Sequence, residues 1–356
     1  MGQKYNTLIM GASYGSLLAI KMVLAGHSVR LICLPEEAEL FNRDGAIVRM
    51  PVKGREGLVE INSKDCAGSL SAGGTEDADP NDYDLVVLAM QEPQYRSPGV
   101  RELLERVGQS GKPCMSIMNM PPLPYLARIP GLDTARLMHC YTDPSVWANV
   151  NPQNITLCSP DPQAFRPPEE PVNVLQVSLP TNFKAARFEA DDATAILRQL
   201  QSDIEAIRYT VDGSEVELPV KLKVHDSVFV PLAKWAMLLT GNYRCVQKDE
   251  MRSIRESVHT DMDASRRVYD FVKGVCEAMG ADMSDLVPFE KYANAANGLA
   301  KPSSAARALL AGAPNIERAD CLVKTIATEN GMQLDIVDQT VAMVDSWLEK
   351  NRANSS

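Results

Sequence analysis

The segment from Leu8 to Leu34, LIMGASYGSLLAIKMVLAGHSVRLICL, constrains the fold of this chain most strongly. It contains an apolar run, a glycine turn, a helical pattern and a second apolar run, in that order. Further apolar runs follow at Asp84–Met90 and Cys114–Met120, and strands buried on both faces of a parallel sheet have this composition. Strand and helix signals that alternate in this way predict an α/β, doubly wound sheet.

The second half of the chain has a different pattern. Strand signals stop beyond about Val220. Helical patterns follow, around 224–244, 262–279, 317–330 and 335–349. We therefore predict an α/β domain at 1–218 and an all-α C-terminal domain at 219–350. Frequent prolines at about 151–185 favour irregular, extended backbone and indicate an insertion in the first domain, and the polar stretch Gly68–Asp82 predicts a surface loop.

Charge and cysteine usage limit the partners of the protein. A formal net charge of −10 repels phosphate backbones and anionic membranes, so we expect neither nucleic acid nor a membrane as a partner. No apolar run reaches membrane-spanning length, and the N-terminus lacks the pattern of a signal peptide. The eight cysteines form no C-x-x-C pair, which predicts reduced thiols and a cytoplasmic location. The pattern HTDMD at His259–Asp263 suggests a metal site but fits a helix N-terminus better, so we expect no metal.

The glycine turn GASYGS is a shortened form of the turn that binds dinucleotides in Rossmann folds. In such a turn one glycine permits the bend, a second lets the backbone approach the pyrophosphate, and a third lets the helix pack on the strand. Gly11 and Gly15 supply the first and third functions, and the helix beginning near Tyr14 offers its N-terminal amides to an anion. The predicted cofactor contacts of this turn are Gly11, Ala12, Ser13, Tyr14, Gly15 and Ser16. A purely structural strand-to-helix turn is the alternative.

Two glutamates, Glu36 and Glu37, follow the second predicted strand, where the adenosine ribose of a dinucleotide lies. A carboxylate there binds the ribose 2′-hydroxyl and repels a 2′-phosphate, and no arginine stands at the end of this strand in the sequence. The pattern favours NAD over NADP and places Glu36 in the cofactor site. The alternative is that both glutamates only cap the next helix.

The helical domain contains a candidate catalytic pair. In PLAKWAMLLTGN, Lys234 and Asn242 lie eight residues apart, about two helical turns, which predicts that they share a face. A lysine on so apolar a helix must snorkel, pair or work in a cleft, where a desolvated ammonium can act as a general acid. In LAKPSSAARALL, Ser303 or Ser304 caps a helix, and such a hydroxyl can bind a carboxylate. The alternatives are a solvated lysine and serines that only cap.

Taken in order, these blocks resemble the ketopantoate reductase family, a branch of the 6-phosphogluconate-dehydrogenase-like oxidoreductases. The resemblance rests on the glycine turn, AGHSVRLICL, DLVVLAMQEPQ, SIMNM, the Lys-x7-Asn helix and KPSSAARALLAGAPNIERADCLVKTIATENGM. It spans most of the chain except the proline-rich segment. It implies a Rossmann domain that binds NADPH, a helical domain for substrate binding and dimerisation, and reduction of a 2-oxo acid to a 2-hydroxy acid in the cleft between them. A homodimer is therefore expected.

The resemblance also implies roles for particular residues. Lys234 matches the general acid that protonates the developing alkoxide, and Asn242 matches the second of two asparagines on the same helix. Asn119 matches the asparagine near the nicotinamide and substrate, and Ser304 matches the serine that holds the substrate carboxylate. Met90 and Gln91 complete the predicted cofactor site.

Several family residues are replaced, however. The first helix asparagine is Leu238, and the glutamate that holds the ketopantoate hydroxyl aligns on Ile316. Glu317 stands one place away, which on a helix is about 100° of rotation, so we expect it to point elsewhere. The cofactor-phosphate arginine falls on Leu34, and a lysine after the fourth strand falls on Gln91. These changes predict an NAD(P)H-dependent reductase with an altered 2-oxo acid substrate. Two alternatives remain: a dehydrogenase for another carbonyl or imine, as in opine-forming enzymes, and a non-catalytic nucleotide-binding or sensor protein.

Overall fold

The computed structural model describes residues 2–355, and the chain separates into two compact units. The first unit comprises the residues up to Met90, Gln94–Arg128 and Ser145–Asp226. The second unit comprises Gln91–Pro93, Ile129–Pro144 and the residues from Ser227 onwards. No helix among the described residues combines the length and the apolar composition needed to cross a bilayer.

The first unit contains the strands and five of the helices. Its strands are β1 (Asn6–Met10), β2 (Ser28–Ile32), β3 (Ile47–Pro51), β4 (Leu58–Asn62), β5 (Ser69–Gly73), β6 (Leu85–Leu88), β7 (Cys114–Ile117), β8 (Ile155–Ser159), β9 (Gln163–Phe165), β10 (Val174–Leu179), β11 (Phe183–Ala186), β12 (Tyr209–Val211), β13 (Ser214–Val216) and β14 (Leu222–His225). Its helices are α1 (Ala12–Leu24), α2 (Pro35–Asp44), α3 (Val100–Ser110), α4 (Leu123–Leu126) and α5 (Asp191–Glu205).

The main sheet has the order β14-β11-β8-β7-β6-β1-β2-β5. Its strands from β8 to β5 are all parallel, and only β11 pairs antiparallel, with β8. Every residue of β6 is fully buried, as the apolar run predicted. From β1 the chain goes to β2 and β5 on one side and later to β6, β7 and β8 on the other. The doubly wound α/β prediction is therefore confirmed, and ligands of such sheets bind beyond the carboxyl ends of the strands where the order reverses.

The proline-rich segment forms strands. It contributes β8 to the main sheet, and its β10 pairs with β3 and β9 in a smaller sheet of the order β4-β3-β10-β9. Every proline from 151 to 180 lies outside these strands. This placement is physically required, because proline has no N–H with which to continue a ladder of hydrogen bonds.

Two expectations for the first unit were wrong. Gly68–Asp82 is not only a surface loop, since β5 lies within it and pairs with β2 at the edge of the main sheet. Strands also do not stop at Val220, because β14 pairs with β11 at the opposite edge. Both are edge strands, with one neighbour each, and pairing with that neighbour forms them despite weak apolar patterns.

A buried lysine in α1 gives the first unit a testable pH dependence. Lys21 is 1% exposed, and its ammonium donates to the carbonyl oxygen of Pro219 at 2.9 Å. Burial lowers the pKa of Lys21 from 10.5 to about 7, with Lys221 acting in the same direction. Between these pH values the unfolded chain holds a proton that the folded chain releases, so stability falls as the pH is lowered from about 10.5 to about 7.

We expect Lys21→Met to remove this dependence of stability on pH. It should also raise the free energy of unfolding at pH 7 by a few kcal/mol, since each pKa unit corresponds to about 1.4 kcal/mol. Urea unfolding at pH 7 and pH 9.5 measures both effects. The matched control is Lys53→Met, which replaces an exposed lysine of the same unit. Equal pH slopes for Lys21→Met and the unmodified protein would contradict the assignment.

The second unit is helical. Its helices are α6 (Lys234–Met237), α7 (Ile254–His259), α8 (Met262–Ala278), α9 (Phe289–Ala296), α10 (Ser304–Leu310), α11 (Ala319–Glu329) and α12 (Asp335–Ser355). A π turn at Leu238–Asn242 continues α6, and a 3-10 turn at Tyr243–Cys245 follows it. Tyr292 of α9 donates a hydrogen bond to the carbonyl of Met237, 3.0 Å away, at the point where the π turn begins. The segment that contains Lys234 is thus tied to the core of its unit.

Candidate active site

The glycine turn is shorter than the sequence predicted. Gly11 alone separates β1 from α1, which begins at Ala12 rather than near Tyr14. Gly11 has φ 106°, and a Cβ there would lie 2.8 Å from the carbonyl oxygen of Ala89 and 2.6 Å from Met90 Cγ. Only glycine fits this bend, on both conformational and steric grounds.

The first turn of α1 presents main-chain amides without a side-chain cap. Ala12, Ser13 and Tyr14 hold the first N–H groups of a 13-residue helix, and such groups have no partner within the helix. A Cβ on Gly15 would lie 2.7 Å from Ile9 Cγ2, so this glycine lets α1 pack closely on β1. These features fit the pyrophosphate of a dinucleotide, which binds to helix N-termini through main-chain N–H groups.

Two side chains of the turn serve the fold. The Tyr14 hydroxyl donates to the carbonyl oxygen of Pro162 at 2.7 Å, and its ring packs edge-on against Phe183. The buried Ser16 hydroxyl donates to the carbonyl oxygen of Ser13 at 2.9 Å. The side chain of Ser13 is exposed. Tyr14 can contribute to cofactor binding through its main chain. Ser16, also predicted in the cofactor site, is buried and its hydroxyl is bonded within the turn.

Met90 and Asn119 lie at the same edge of the main sheet as Gly11. β1, β6 and β7 are adjacent and parallel, and these three residues follow their carboxyl ends. Met90 donates its amide to the hydroxyl of Tyr95 at 3.2 Å, which fixes the chain where it leaves the sheet. Gln91, also predicted at the cofactor, belongs to the second unit.

The carboxyl end of β2 carries a charge that the sequence did not reveal. Arg166 forms an ion pair with Glu37 at 2.5 Å, and both charged groups act on Cys33, whose pKa burial raises to about 11. Glu36 is exposed in the first turn of α2. No arginine follows β2 in the sequence, but the fold brings Arg166 to this strand end from the proline-rich segment, far away in the chain.

In the second unit, Lys234 and Asn242 share a partly exposed face of a helix that is otherwise buried. Of residues 231–246, only Lys234, Met237 and Asn242 are not buried. In a regular α-helix, residues eight apart would diverge by about 80°. The π turn removes this divergence, because one α turn of about 3.6 residues and one π turn of roughly 4.4 residues together take about eight.

Ser303 holds the N-terminus of α10 against this helix. Its hydroxyl donates to the carbonyl oxygen of Asn242 at 2.8 Å and accepts from the amide of Ala306 at 3.1 Å. Ser303 is 2% exposed, whereas Ser304 is exposed. The hydroxyl of Ser303 thus caps α10 and bonds it to the Lys234 helix, so it is not available to donate to a carboxylate. Ser304 is then the candidate carboxylate ligand.

Glu317 is buried in the segment that precedes α11. α11 begins only at Ala319, so Ile316 and Glu317 precede the helix, and the argument from helical rotation was wrong. Ile316 is buried, and the carboxylate of the buried Glu317 accepts from the amide of Glu92 at 3.3 Å. Glu92 in turn accepts hydrogen bonds from the amide and hydroxyl of Thr142, at 3.0 and 2.8 Å. Glu317 therefore contacts the Gln91–Pro93 segment.

Comparison with solved structures supports the fold. No protein-family model and no curated protein matches the sequence. Among solved structures, a ketopantoate reductase from Ralstonia eutropha JMP134 is 13% identical, with 98% of this chain and 99% of that chain covered and a TM-score of 0.64. The chain has the ketopantoate reductase fold.

Two further structures with this fold widen the range of chemistry. D-mandelate dehydrogenase, in a ternary structure with NADH and anilino(oxo)acetate, is 12% identical, with 98% of this chain and 99% of that chain covered and a TM-score of 0.60. A dimeric ketopantoate reductase from Staphylococcus aureus is 10% identical, with 97% and 99% covered and a TM-score of 0.59. One fold thus occurs in enzymes named for different substrates, and the low sequence identities do not identify the substrate of this chain.

Proposed function

We propose that this protein is an NAD(P)H-dependent reductase that converts a 2-oxo acid into a 2-hydroxy acid. The observation that carries the proposal is the face formed by Lys234, Met237 and Asn242. On a helix whose other side chains are buried, a π turn aligns an ammonium, an apolar side chain and an amide. π turns of this kind occur often at functional sites.

The first unit is the proposed cofactor domain. The amides of Ala12, Ser13 and Tyr14 bind the pyrophosphate, and Gly11 leaves room for it beside Met90. Asn119, beyond the neighbouring strand, contacts the nicotinamide end. The reduced nicotinamide supplies a hydride when it is bound. NADH in the D-mandelate dehydrogenase structure agrees with a nicotinamide cofactor.

The second unit supplies the proton and holds the substrate. Lys234 donates a proton from Nζ to the carbonyl oxygen as negative charge develops there, and the Asn242 amide orients the same oxygen. Ser304 donates a hydrogen bond to the carboxylate of the oxo acid. A positioned general acid of this kind accelerates a reaction by about 10²- to 10⁴-fold.

The substrate has an apolar substituent in this proposal. Met237 lies between Lys234 and Asn242 on the shared face, and the family's first helix asparagine is replaced by the buried Leu238. A panel of 2-oxo acids with straight, branched and aromatic substituents, with ketopantoate included, tests this point through the oxidation of NADPH and NADH. We expect higher kcat/KM for the apolar members than for ketopantoate. The reverse order would contradict the proposed specificity.

Arg166 is the proposed determinant of cofactor choice. A preference for NAD would depend on repulsion between Glu37 and the 2′-phosphate of NADP. The positive charge of Arg166 compensates Glu37 and removes this repulsion. We expect Arg166→Ala to raise the Kd of NADPH about tenfold relative to that of NADH. A tenfold change corresponds to about 1.4 kcal/mol of repulsion between the uncompensated Glu37 and the 2′-phosphate. Fluorescence titrations with both cofactors measure the ratio, and Arg198→Ala, which breaks an exposed ion pair with Asp226, is the control. An unchanged ratio would remove Arg166 from this role.

The protein is further proposed to act as a homodimer in the cytoplasm. The dimeric ketopantoate reductase from Staphylococcus aureus supports the first point. Light scattering coupled to size-exclusion chromatography gives the mass, and the proposal expects twice the mass of one chain.

A further inference from the structure

Three metal-ligating side chains meet in the second unit, apart from the residues proposed to act in reduction. His139 and Cys140 end a short 3-10 segment at Thr134–Cys140, and Cys321 lies in the first turn of α11. Cys140 Sγ is 3.3 Å from Cys321 Sγ and 3.5 Å from His139 Nε2. The two sulfurs and one ring nitrogen all lie within 4.8 Å of one another.

The orientation of His139 is that of a metal ligand. Its Nδ1 lies 3.0 Å from the carbonyl oxygen of Arg136. A carbonyl can only accept a hydrogen bond, so Nδ1 carries the hydrogen and Nε2 directs its lone pair towards the sulfurs. Histidines that bind metals are oriented by a main-chain carbonyl in the same way.

Two of the distances between the ligand atoms are close to those of a tetrahedral Zn²⁺ site. Zn–S bonds of about 2.3 Å and Zn–N bonds of about 2.0 Å place two sulfurs about 3.8 Å apart and a sulfur and a nitrogen about 3.6 Å apart. The S–N distance between Cys140 and His139 already agrees, and the sulfurs must separate by roughly 0.5 Å. A disulfide of about 2.05 Å would instead require them to approach by more than roughly 1 Å.

A threonine hydroxyl lies beside the three ligands. Thr325, one turn after Cys321 on α11, places its hydroxyl oxygen 3.3 Å from His139 Nε2 and 3.6 Å from Cys140 Sγ. This hydroxyl donates to the carbonyl oxygen of Cys321, at 2.9 Å, and it can accept a hydrogen bond from a metal-bound water. Cys140 is buried and His139 is exposed, so an ion can enter from solvent.

We propose that His139, Cys140 and Cys321 bind one Zn²⁺ ion, with a water molecule beside Thr325 in the fourth position. Two thiolates and a neutral imidazole balance the charge of the ion, and binding releases the two thiol protons. Thiolates select Zn²⁺ over Mg²⁺ and Ca²⁺, which prefer oxygen ligands. The ion joins α11 to the segment that ends at Cys140, just before Thr142, the residue that hydrogen-bonds Glu92. It therefore stabilises this part of the second unit.

The test uses the full-length protein without a histidine tag, treated with a chelator and a reductant and then dialysed. Zn²⁺ is titrated in competition with a chromogenic chelator, and Co²⁺ is added separately to detect thiolate-to-cobalt charge transfer by absorbance. We expect about one equivalent of Zn²⁺ per chain, a charge-transfer band, and protection of two thiols from alkylation, mapped by mass spectrometry to Cys140 and Cys321.

Variants assign the ligands. We expect Cys321→Ser and His139→Gln to weaken Zn²⁺ binding by at least about 100-fold, while Cys66→Ser, a half-buried thiol of the first unit, leaves it unchanged. The alkylation experiment on the unmodified protein keeps the proposal testable if a variant fails to fold. Absence of stoichiometric Zn²⁺ and of the cobalt band would overturn the site. Formation of a Cys140–Cys321 disulfide with peroxide in a protein that binds no Zn²⁺ would overturn it too, in favour of a redox pair.

Discussion

Lys234→Ala is expected to lower kcat by about 10²- to 10⁴-fold, which is the usual contribution of a positioned general acid. Without the ammonium, no group of the shared face protonates the developing alkoxide, since Met237 is apolar and the Asn242 amide is not an acid. Steady-state oxidation of the preferred cofactor with the best 2-oxo acid of the panel measures the effect. Cofactor affinity should stay unchanged, because the residue lies in the second unit.

The matched control for this variant is Lys248→Ala, which removes an exposed lysine of the same unit. A smaller loss in Lys234→Arg, which keeps a positive charge but is a poorer acid, would support charge stabilisation as part of the role. Near-normal turnover of Lys234→Ala on a true substrate would show that another group donates the proton.

Gly11→Ala is expected to abolish cofactor binding at millimolar concentrations and to destabilise the first unit. A Cβ at this position meets a main-chain carbonyl at 2.8 Å, so the turn itself must move, and the residue must also keep φ at 106°. We expect a loss of about 2–4 kcal/mol in the free energy of unfolding, the sum of left-handed strain and overpacking. Fluorescence titration with NADPH and NADH and urea unfolding measure the two effects.

Gly54→Ala separates conformational strain from the clash. Gly54 also has a positive φ, of 81°, but a Cβ there meets nothing within 4 Å. We expect this control to lose about 1–2 kcal/mol of stability with full cofactor affinity. If Gly11→Ala folded and bound both cofactors like the unmodified protein, GASYGS would be only a structural link between strand and helix.

Local patterns predicted the fold and part of the candidate site. The sequence around Gly11 contains both the strand and the helix that it joins, so the turn could be located without tertiary information. The Lys234–Asn242 spacing predicted a shared face, but the physical reason is the π turn, which an ideal helix argument did not include. For Glu317 the helical argument failed, because this residue precedes α11 and helical rotation does not apply to it.

The features that the sequence did not predict depend on contacts between distant residues. Arg166 reaches Glu37 because the proline-rich segment folds into strands of the main and smaller sheets. Cys140 and Cys321 are far apart in the chain and lack any metal-binding spacing, so no local pattern indicates that their sulfurs meet. The edge strands β5 and β14 were missed because main-chain pairing, rather than apolar composition, determines them.

The central claim is that a 2-oxo acid receives a hydride from a nicotinamide cofactor bound at the Gly11 turn and a proton from Lys234. The most direct measurement uses reduced nicotinamide cofactor that carries deuterium at both C4 positions, with the panel of 2-oxo acids and mass spectrometry of the products. The account predicts a 2-hydroxy acid with one deuterium at C2 for each cofactor oxidised, and loss of this product in Lys234→Ala. Saturation of the protein with cofactor and no deuterated product from any oxo acid would contradict it.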